Sequence, residues 1–346
     1  VRGITSSDVA RRAGVSRATV SYVLNDARST IRISPDTRER VLRAAAELGY
    51  TPNRAAQSLR SKRTGILAYI HAGTLDYFNF HLMTCVQLAT QERGFIFSLF
   101  SLESAVSLKQ TLAFLGGHGA DGVFTPEYEG PMYDAVLNLA RQGLPVVMQG
   151  VSTDPAIEAV GFDLEAGGYL ATSHLIGLGH ERIAYIAADV RPWLRPESYP
   201  ERYDGYRRAL AEAGIEPRPE WRIVGQVTRE GGTHAVRRLL ALPPPLPTAI
   251  FVHNDWMALG VLQGLHDAGV MVPDEVAVVG FDGLDLGAAA IPPLTTVELP
   301  YEEFGRQAVA IIAARLDGGP VPPSHLLTPR LVERRSSGAH AEEDRT

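Results

Sequence analysis

Asp8-Val9-Ala10-Arg11-Arg12-Ala13-Gly14-Val15-Ser16-Arg17-Ala18-Thr19-Val20-Ser21-Tyr22-Val23-Leu24 is the stretch that decides the fold. Ser6 and Ser7 can cap a helix running to about Ala13, Gly14 offers a tight turn, and Ser16 can cap a second helix through about Leu24. Val9, Ala10, Ala13, Val15, Val20, Val23 and Leu24 recur at spacings that pack the two helices together. Arg17, Ala18, Ser21 and Tyr22 are left facing outward. A helix-turn-helix results, whose second helix fits the width of a DNA major groove. A third helix follows, with Ser34 as cap, Pro35 at its first position, Val41, Leu42, Ala45 and Leu48 inward, and Gly49 as its stop.

Charge agrees with a polyanion partner for this head. Residues 1–63 hold 13 Lys and Arg against 5 Asp and Glu, a net of +8, while the remainder nets −14 within a total of −6. The next segment, Asn53 to Arg60, offers a helix of about two turns, too short to be stable alone and therefore in need of a partner. A length of 346 residues and a 45% hydrophobic composition describe a soluble, cored protein of more than one domain. The single cysteine, Cys85, cannot form an internal disulfide, and no run reaches the ~18 apolar residues of a membrane span. The start lacks a signal peptide's apolar core, so a cytoplasmic location and no membrane partner are expected.

The body alternates short β-rich runs with amphipathic helical stretches. One series of strands is expected at 65–71, 95–102, 121–126 and 145–149, and a second at 158–163, 182–187, 223–226, 249–253 and 276–282. Such alternation makes the fold class α/β, with parallel sheets covered by helices on both faces, and nine strands suit two sheets better than one.

Several motifs together resemble the lactose/galactose repressor family. They are Asp8-Val9-Ala10, Ala13-Gly14-Val15-Ser16, Thr19-Val20-Ser21-Tyr22-Val23-Leu24-Asn25, Asn53-Arg54-Ala55-Ala56-Gln57-Ser58-Leu59, Leu178-Gly179-His180-Glu181-Arg182-Ile183-Ala184, Arg202-Tyr203-Asp204-Gly205-Tyr206, Asn254-Asp255-Trp256-Met257-Ala258-Leu259-Gly260, Val278-Val279-Gly280-Phe281-Asp282 and Pro292-Pro293-Leu294-Thr295-Thr296-Val297. The resemblance implies an N-terminal three-helix head and hinge helix, then a two-lobed periplasmic-binding-protein-like core with a ligand cleft between its two parallel sheets. The expected division is a head over 1–52, a hinge over 53–63, a first lobe over 64–160 with 292–322, a second lobe over 161–291 with 323–335, and a disordered tail over 336–346. Crossovers between lobes are expected near Gly161, Ile291 and Pro323.

Catalytic constellations are missing from the pattern. The Gly117–Gly122 stretch leads into a strand, whereas a dinucleotide loop must lead into a helix, so it reads as a helix-to-strand turn. His174 and His180, six apart across a helix end, suit helix-end hydrogen bonds better than a metal. No cofactor, no metal and no enzyme activity are expected.

Open parallel sheets place ligands at the carboxyl ends of their strands, where Asp76, Phe78, Asp189, Trp193, Arg202, Asn254 and Asp282 fall. Carboxylates and amides hold sugar hydroxyls, arginine supplies a planar donor fork, and an aromatic face packs on a pyranose. Asp189 and Asp255 are equally suited to capping the next helix. The resemblance assigns the effector pocket to Arg202, Asn254 and Asp282, and the candidate set adds Asp76, Phe78 and Trp193. For DNA the candidates are Thr5, Ser16, Arg17, Ala18, Thr19, Ser21, Tyr22 and Asn25 in the head. In the hinge they are Asn53, Arg54, Ala56, Gln57 and Leu59. Tyr22 stands where the family commonly has arginine, and Gly150 where some relatives have an acidic ligand contact, so operator and effector should not be copied from any one relative.

The expected function is a homodimeric, ligand-responsive transcription regulator, a repressor of a carbohydrate-related operon, that binds a palindromic double-stranded DNA operator and a sugar or sugar derivative. A purine or other non-sugar effector, a stand-alone sugar-binding protein and an α/β sugar-metabolising enzyme are the alternatives.

Overall fold

The computed structural model describes residues 4–24, 33–51, 63–72, 77–102, 105–128, 130–189, 200–323 and 325–338. Two compact units divide the chain, Val1–Thr64 and Gly65–Thr346.

In the first unit, α1 (Ser6–Ala13), α2 (Arg17–Leu24) and α3 (Pro35–Glu47) pack around Val9, Val20, Val23 and Val41, all at most 2% exposed. Gly14 joins the first two helices at φ 66°, a left-handed conformation that strains any residue with a Cβ. The cap of α1 is Thr5, one residue before the expected serines. The Asp8 carboxylate reaches back to accept the Thr5 backbone N–H at 2.9 Å and its hydroxyl at 2.7 Å. Ser16 caps α2 by accepting the Thr19 N–H at 3.0 Å, and Ser34 caps α3 by accepting that of Thr37 at 3.3 Å. Leu42, expected inward, is 47% exposed. Val41, Ala44, Ala45 and Leu48 already complete the i, i+3, i+4, i+7 stripe, which turns its neighbour away.

The second unit contains two sheets. The first has the order β11-β5-β4-β3-β1-β2, built from β1 (Ile66–Ala72), β2 (Ile96–Leu102), β3 (Gly122–Thr125), β4 (Val146–Gln149), β5 (Glu158–Phe162) and β11 (Leu326–Leu327). The second has the order β12-β10-β9-β8-β6-β7, built from β6 (Ile183–Asp189), β7 (Arg222–Gln226), β8 (Ala249–Val252), β9 (Ala277–Asp282), β10 (Thr295–Glu298) and β12 (Arg330–Val332). Every pairing is parallel except that of β10 with β12. The helices are α4 (Tyr77–Glu92), α5 (Ala105–Gly116), α6 (Gly130–Arg141), α7 (Leu164–Gly177), α8 (Pro200–Glu212), α9 (Arg229–Leu240), α10 (Asp255–Asp267), α11 (Asp285–Ala288) and α12 (Tyr301–Asp317). The Gly117–Gly122 stretch is the turn from α5 into β3, as its glycines suggested.

Three details depart from the sequence reading. The strand at 158–162 belongs to the first sheet, because Val147, Met148 and Gln149 pair with Glu158, Ala159 and Val160. The chain crosses between sheets after Phe162, again between Glu298 and Tyr301, and a third time between Leu327 and Arg330. Ile291 and Pro323 are therefore not the crossing points: β10 still pairs with β9 after Ile291, and β11 still pairs with β5 after Pro323. The expected tail begins inside the fold. Ser336 donates to the Val278 carbonyl at 2.6 Å and accepts the Thr295 N–H at 2.8 Å, and both Ser336 and Ser337 are buried. Residues 339–346 lie outside the described residues.

Candidate functional site

On the head, Arg17, Ala18 and Tyr22 of α2 are exposed, Thr19 and Ser21 half-buried, and Thr5 and Ser16 exposed at the two helix starts. Arg17, Ala18, Ser21 and Tyr22 share the outward face of α2 because Val20 and Val23 hold the opposite face of the helix inward. Arg12 ties α1 to α3 through Glu47, with Nη2 2.6 Å from Oε2. Asn25, Asn53, Arg54, Ala56, Gln57 and Leu59 lie outside the described residues.

In the larger unit, the carboxyl ends of β6, β8 and β9 adjoin. Arg202, near the start of α8, is 3% exposed and Asp282, the last residue of β9, 2% exposed. Arg202 Nη2 lies 3.2 Å from Asp282 Oδ1, and the guanidinium sits 4.2 Å over the Phe281 ring. Asp282 adopts φ 105°, an uncommon backbone state for a residue with a Cβ. Buried His253, just past β8, brings Nε2 to 3.4 Å from Arg202 Nη1 and Nδ1 to 3.4 Å from the Tyr185 hydroxyl of β6. Burial and the Arg202 charge hold His253 well below the usual histidine range, and burial pushes the Tyr185 hydroxyl up to about 12.

Asn254 caps α10: its Oδ1 accepts the Met257 N–H at 2.9 Å, which leaves the amide nitrogen as the group suited to a ligand. The cap role weighed for Asp255 therefore belongs to its neighbour. Asp255 is instead fully buried, accepting the Leu284 N–H at 2.7 Å and the Thr296 hydroxyl at 2.6 Å. It ties the loop after Asp282 to the helix after Asn254. A Cβ on Gly280 would collide with this carboxylate. Burial raises Asp255 to about 7 despite those donors and the charge of Arg334.

Phe78 belongs to the aromatic packing of the first sheet, 6.4 Å from Phe162 and 5.8 Å from Tyr301 between ring centroids. Its neighbour Tyr77 reaches Trp256 of α10 at 4.4 Å. Asp189 is exposed at the end of β6. Asp76 and Trp193 lie outside the described residues. The structure thus brings Arg202 and Asp282 together beside Asn254, and adds His253 and Tyr185, which sequence reasoning missed. A histidine one residue before the Asn254 motif was the available signal for the first.

His174 and His180 are engaged separately, His174 Nε2 with Ser337 Oγ at 2.9 Å and His180 Nδ1 with Thr248 Oγ1 at 3.1 Å. Both bonds run to other elements, whereas helix-end bonding was expected. Among the described residues no three His, Cys, Asp or Glu groups are placed to share a metal ion, and no helix is long and apolar enough to cross a membrane.

Comparison with known proteins places these features in a family. Residues 5–53 match the model of bacterial regulatory proteins of the lacI family, and residues 172–337 match a periplasmic binding protein-like domain. The HTH-type transcriptional regulator CelR of Thermobifida fusca is 35% identical over 343 residues, covering 95% of this chain and 97% of that one. The HTH-type transcriptional repressor PurR of Haemophilus influenzae (strain PittEE) is 33% identical over 341 residues, covering 96% and 98%. A transcriptional regulator CelR–cellobiose complex superposes with a TM-score of 0.69 at 34% identity, covering 96% and 99% of the two chains. The lac repressor dimer bound to operator and the anti-inducer ONPF gives 0.78 at 28% identity, covering 98% and 100%. With identity above 30% along almost its whole length, and with a helix-turn-helix head preceding a two-sheet ligand-binding core, this chain belongs to the lacI family of bacterial transcription regulators.

Proposed function

We propose that the chain is a homodimeric repressor of a carbohydrate-related operon that binds a near-palindromic operator through α2 and the hinge and takes a sugar as effector. It carries no catalytic role. The observation that supports a sugar is the buried Arg202–Asp282 pair beside Asn254, which offers a planar donor fork, a carboxylate and an amide at adjoining strand ends. A cellobiose complex is known for a relative 34% identical. The proposed DNA contacts are Thr5, Ser16, Arg17, Ala18, Thr19, Ser21, Tyr22 and Asn25, with Asn53, Arg54, Ala56, Gln57 and Leu59 of the hinge. The proposed effector contacts are Asp76, Phe78, Trp193, Arg202, Asn254 and Asp282.

Regulation follows from linkage, because a ligand that favours one lobe arrangement shifts operator affinity by the same coupling free energy. The test is retardation of DNA from upstream of the chain's own gene, with cellobiose, glucose or hypoxanthine added. A change with a sugar is expected. A change with hypoxanthine alone would replace the sugar by a purine, and no retardation at low salt would overturn the operator assignment.

A further inference from the structure

Arg202 is central to the effector site, yet a guanidinium recognises a ligand only if its plane is held to within ~10–20°. The Asp282 contact runs between one nitrogen and one oxygen at 3.2 Å. The Phe281 ring, 4.2 Å below, sets the height of the guanidinium, and a flat ring face does not distinguish one in-plane rotation from another. On the other terminal nitrogen, Nη1, stands His253 Nε2 at 3.4 Å, and behind it the Tyr185 hydroxyl lies 3.4 Å from Nδ1. Strand pairing places these groups in line. Tyr185 pairs with Phe251, Phe251 with Val279, and the backbone N–H of His253 donates to the Ile186 carbonyl at 2.8 Å.

We infer that His253 is a positioning residue for the effector site, a neutral imidazole that fixes the in-plane rotation of the Arg202 guanidinium, with Tyr185 fixing the imidazole in turn. The inference rests on the reading that Arg202 holds the effector. An arginine only donates, so the nitrogen facing Nη1 must be the acceptor, and the ring proton belongs on Nδ1, where it points at Tyr185. Burial and the adjoining guanidinium charge both disfavour a second proton, which keeps Nε2 an acceptor at neutral pH. His253 need not touch the effector to set which hydroxyl pair the Arg202 fork can meet.

Two arms test this, one without ligand. Crystal structures of the free chain are compared for the parent, His253→Leu, His253→Gln and Tyr185→Phe. Leucine removes the acceptor at similar size, whereas the glutamine Oε1 replaces Nε2. The guanidinium is expected to turn away from its parent plane in His253→Leu and to keep it in His253→Gln, with a smaller rotation in Tyr185→Phe. Calorimetry with cellobiose should show roughly tenfold weaker binding for His253→Leu and recovery of most of it in His253→Gln. Tyr185→Phe, which deletes one oxygen, carries the test if His253→Leu does not fold. An unchanged Arg202 plane in both His253→Leu and Tyr185→Phe would overturn the inference, as would an equal loss in the leucine and glutamine variants. A parent chain that ignores cellobiose would count against the sugar reading alone, and the crystallographic arm would still decide the role of His253.

Discussion

Tyr77 and Trp256 meet ring to ring, centroids 4.4 Å apart and planes tilted by 37°, although one opens the first helix of the first lobe and the other lies in the first turn of α10 in the second. The pair joins a helix that follows a strand of the first sheet to one that follows a strand of the second. Such a contact contributes on the order of 1 kcal/mol beyond its buried area, enough to shift the closure of two lobes without locking it.

An effector that alters closure must alter this contact. Cellobiose should therefore change tryptophan emission, and Trp256→Phe should remove the part that comes from this contact, leaving the part from Trp193, itself a proposed effector contact, and from Trp221. An undiminished signal in Trp256→Phe would place the motion elsewhere.

Arg17 and Ala18 open α2 and are exposed, with Tyr22 one turn on. Arg17→Ala should cost about 1–3 kcal/mol on the cognate operator and relax preference at one base pair. Titration on cognate and scrambled duplexes checks this; equal losses on both would make Arg17 a backbone contact.

Arg202 and Asp282 are both buried, so removing either leaves its partner's charge in the interior. Arg202→Ala and Asp282→Ala should each lower the stability of the core by about 3–5 kcal/mol and abolish the effector response of the DNA complex. Asp282→Asn, which preserves shape, should lose the response with a smaller stability loss. Denaturation curves and calorimetry separate the two effects, and unchanged effector affinity in all three variants would move the site.

Leu59 carries the hinge prediction. If Asn53 to Arg60 forms the proposed hinge helix, Leu59 and Ala56, three apart in sequence, would give it a small apolar edge, proposed to pair in the dimer and to wedge a base step open in the minor groove. Leu59→Ala should weaken operator binding and reduce the bend, with little change in the salt slope of nonspecific binding. Phasing of bent fragments on gels reads the bend; an unaltered bend would remove the wedge.

Local rules carried the sequence reading furthest where local forces dominate. The Ser16 and Ser34 caps, the Gly14 turn and all nine expected strands depend on residues near in sequence. What it missed depends on distant partners. β11 and β12 hold two and three residues, too few to show a period, and β10, β11 and β12 form on the edges that β9, β5 and β10 offer them. The Glu158 strand went to the wrong series because alternation does not say which sheet a strand joins. Arg202, Asn254 and Asp282 were found through motifs, whereas His253 and Tyr185 look like ordinary core residues until strand pairing aligns them.

Asp255 yields the last prediction. Its carboxyl lies at about 7 in the folded chain against an ordinary 3.8, because the loss of hydration outweighs the Leu284 and Thr296 donors and the charge of Arg334. The folded state therefore keeps a proton that the unfolded state gives up. A raised value of this kind makes a contribution that is full below pH 3.8, declines between pH 3.8 and about 7, and is level above. At 1.4 kcal/mol per pH unit the decline is roughly 4 kcal/mol, an upper figure since the buried donors can relax around the anion. Asp255→Asn keeps the shape without the titration. Urea denaturation of both chains at pH 4.5, 6 and 7.5 should show the parent losing stability relative to the asparagine variant as pH rises. Parallel curves, or a parent that gains on the variant as pH rises, would mean that the carboxylate is ionised throughout, clamped by its two donors, and that the link between the Asp282 loop and α10 is a charged one.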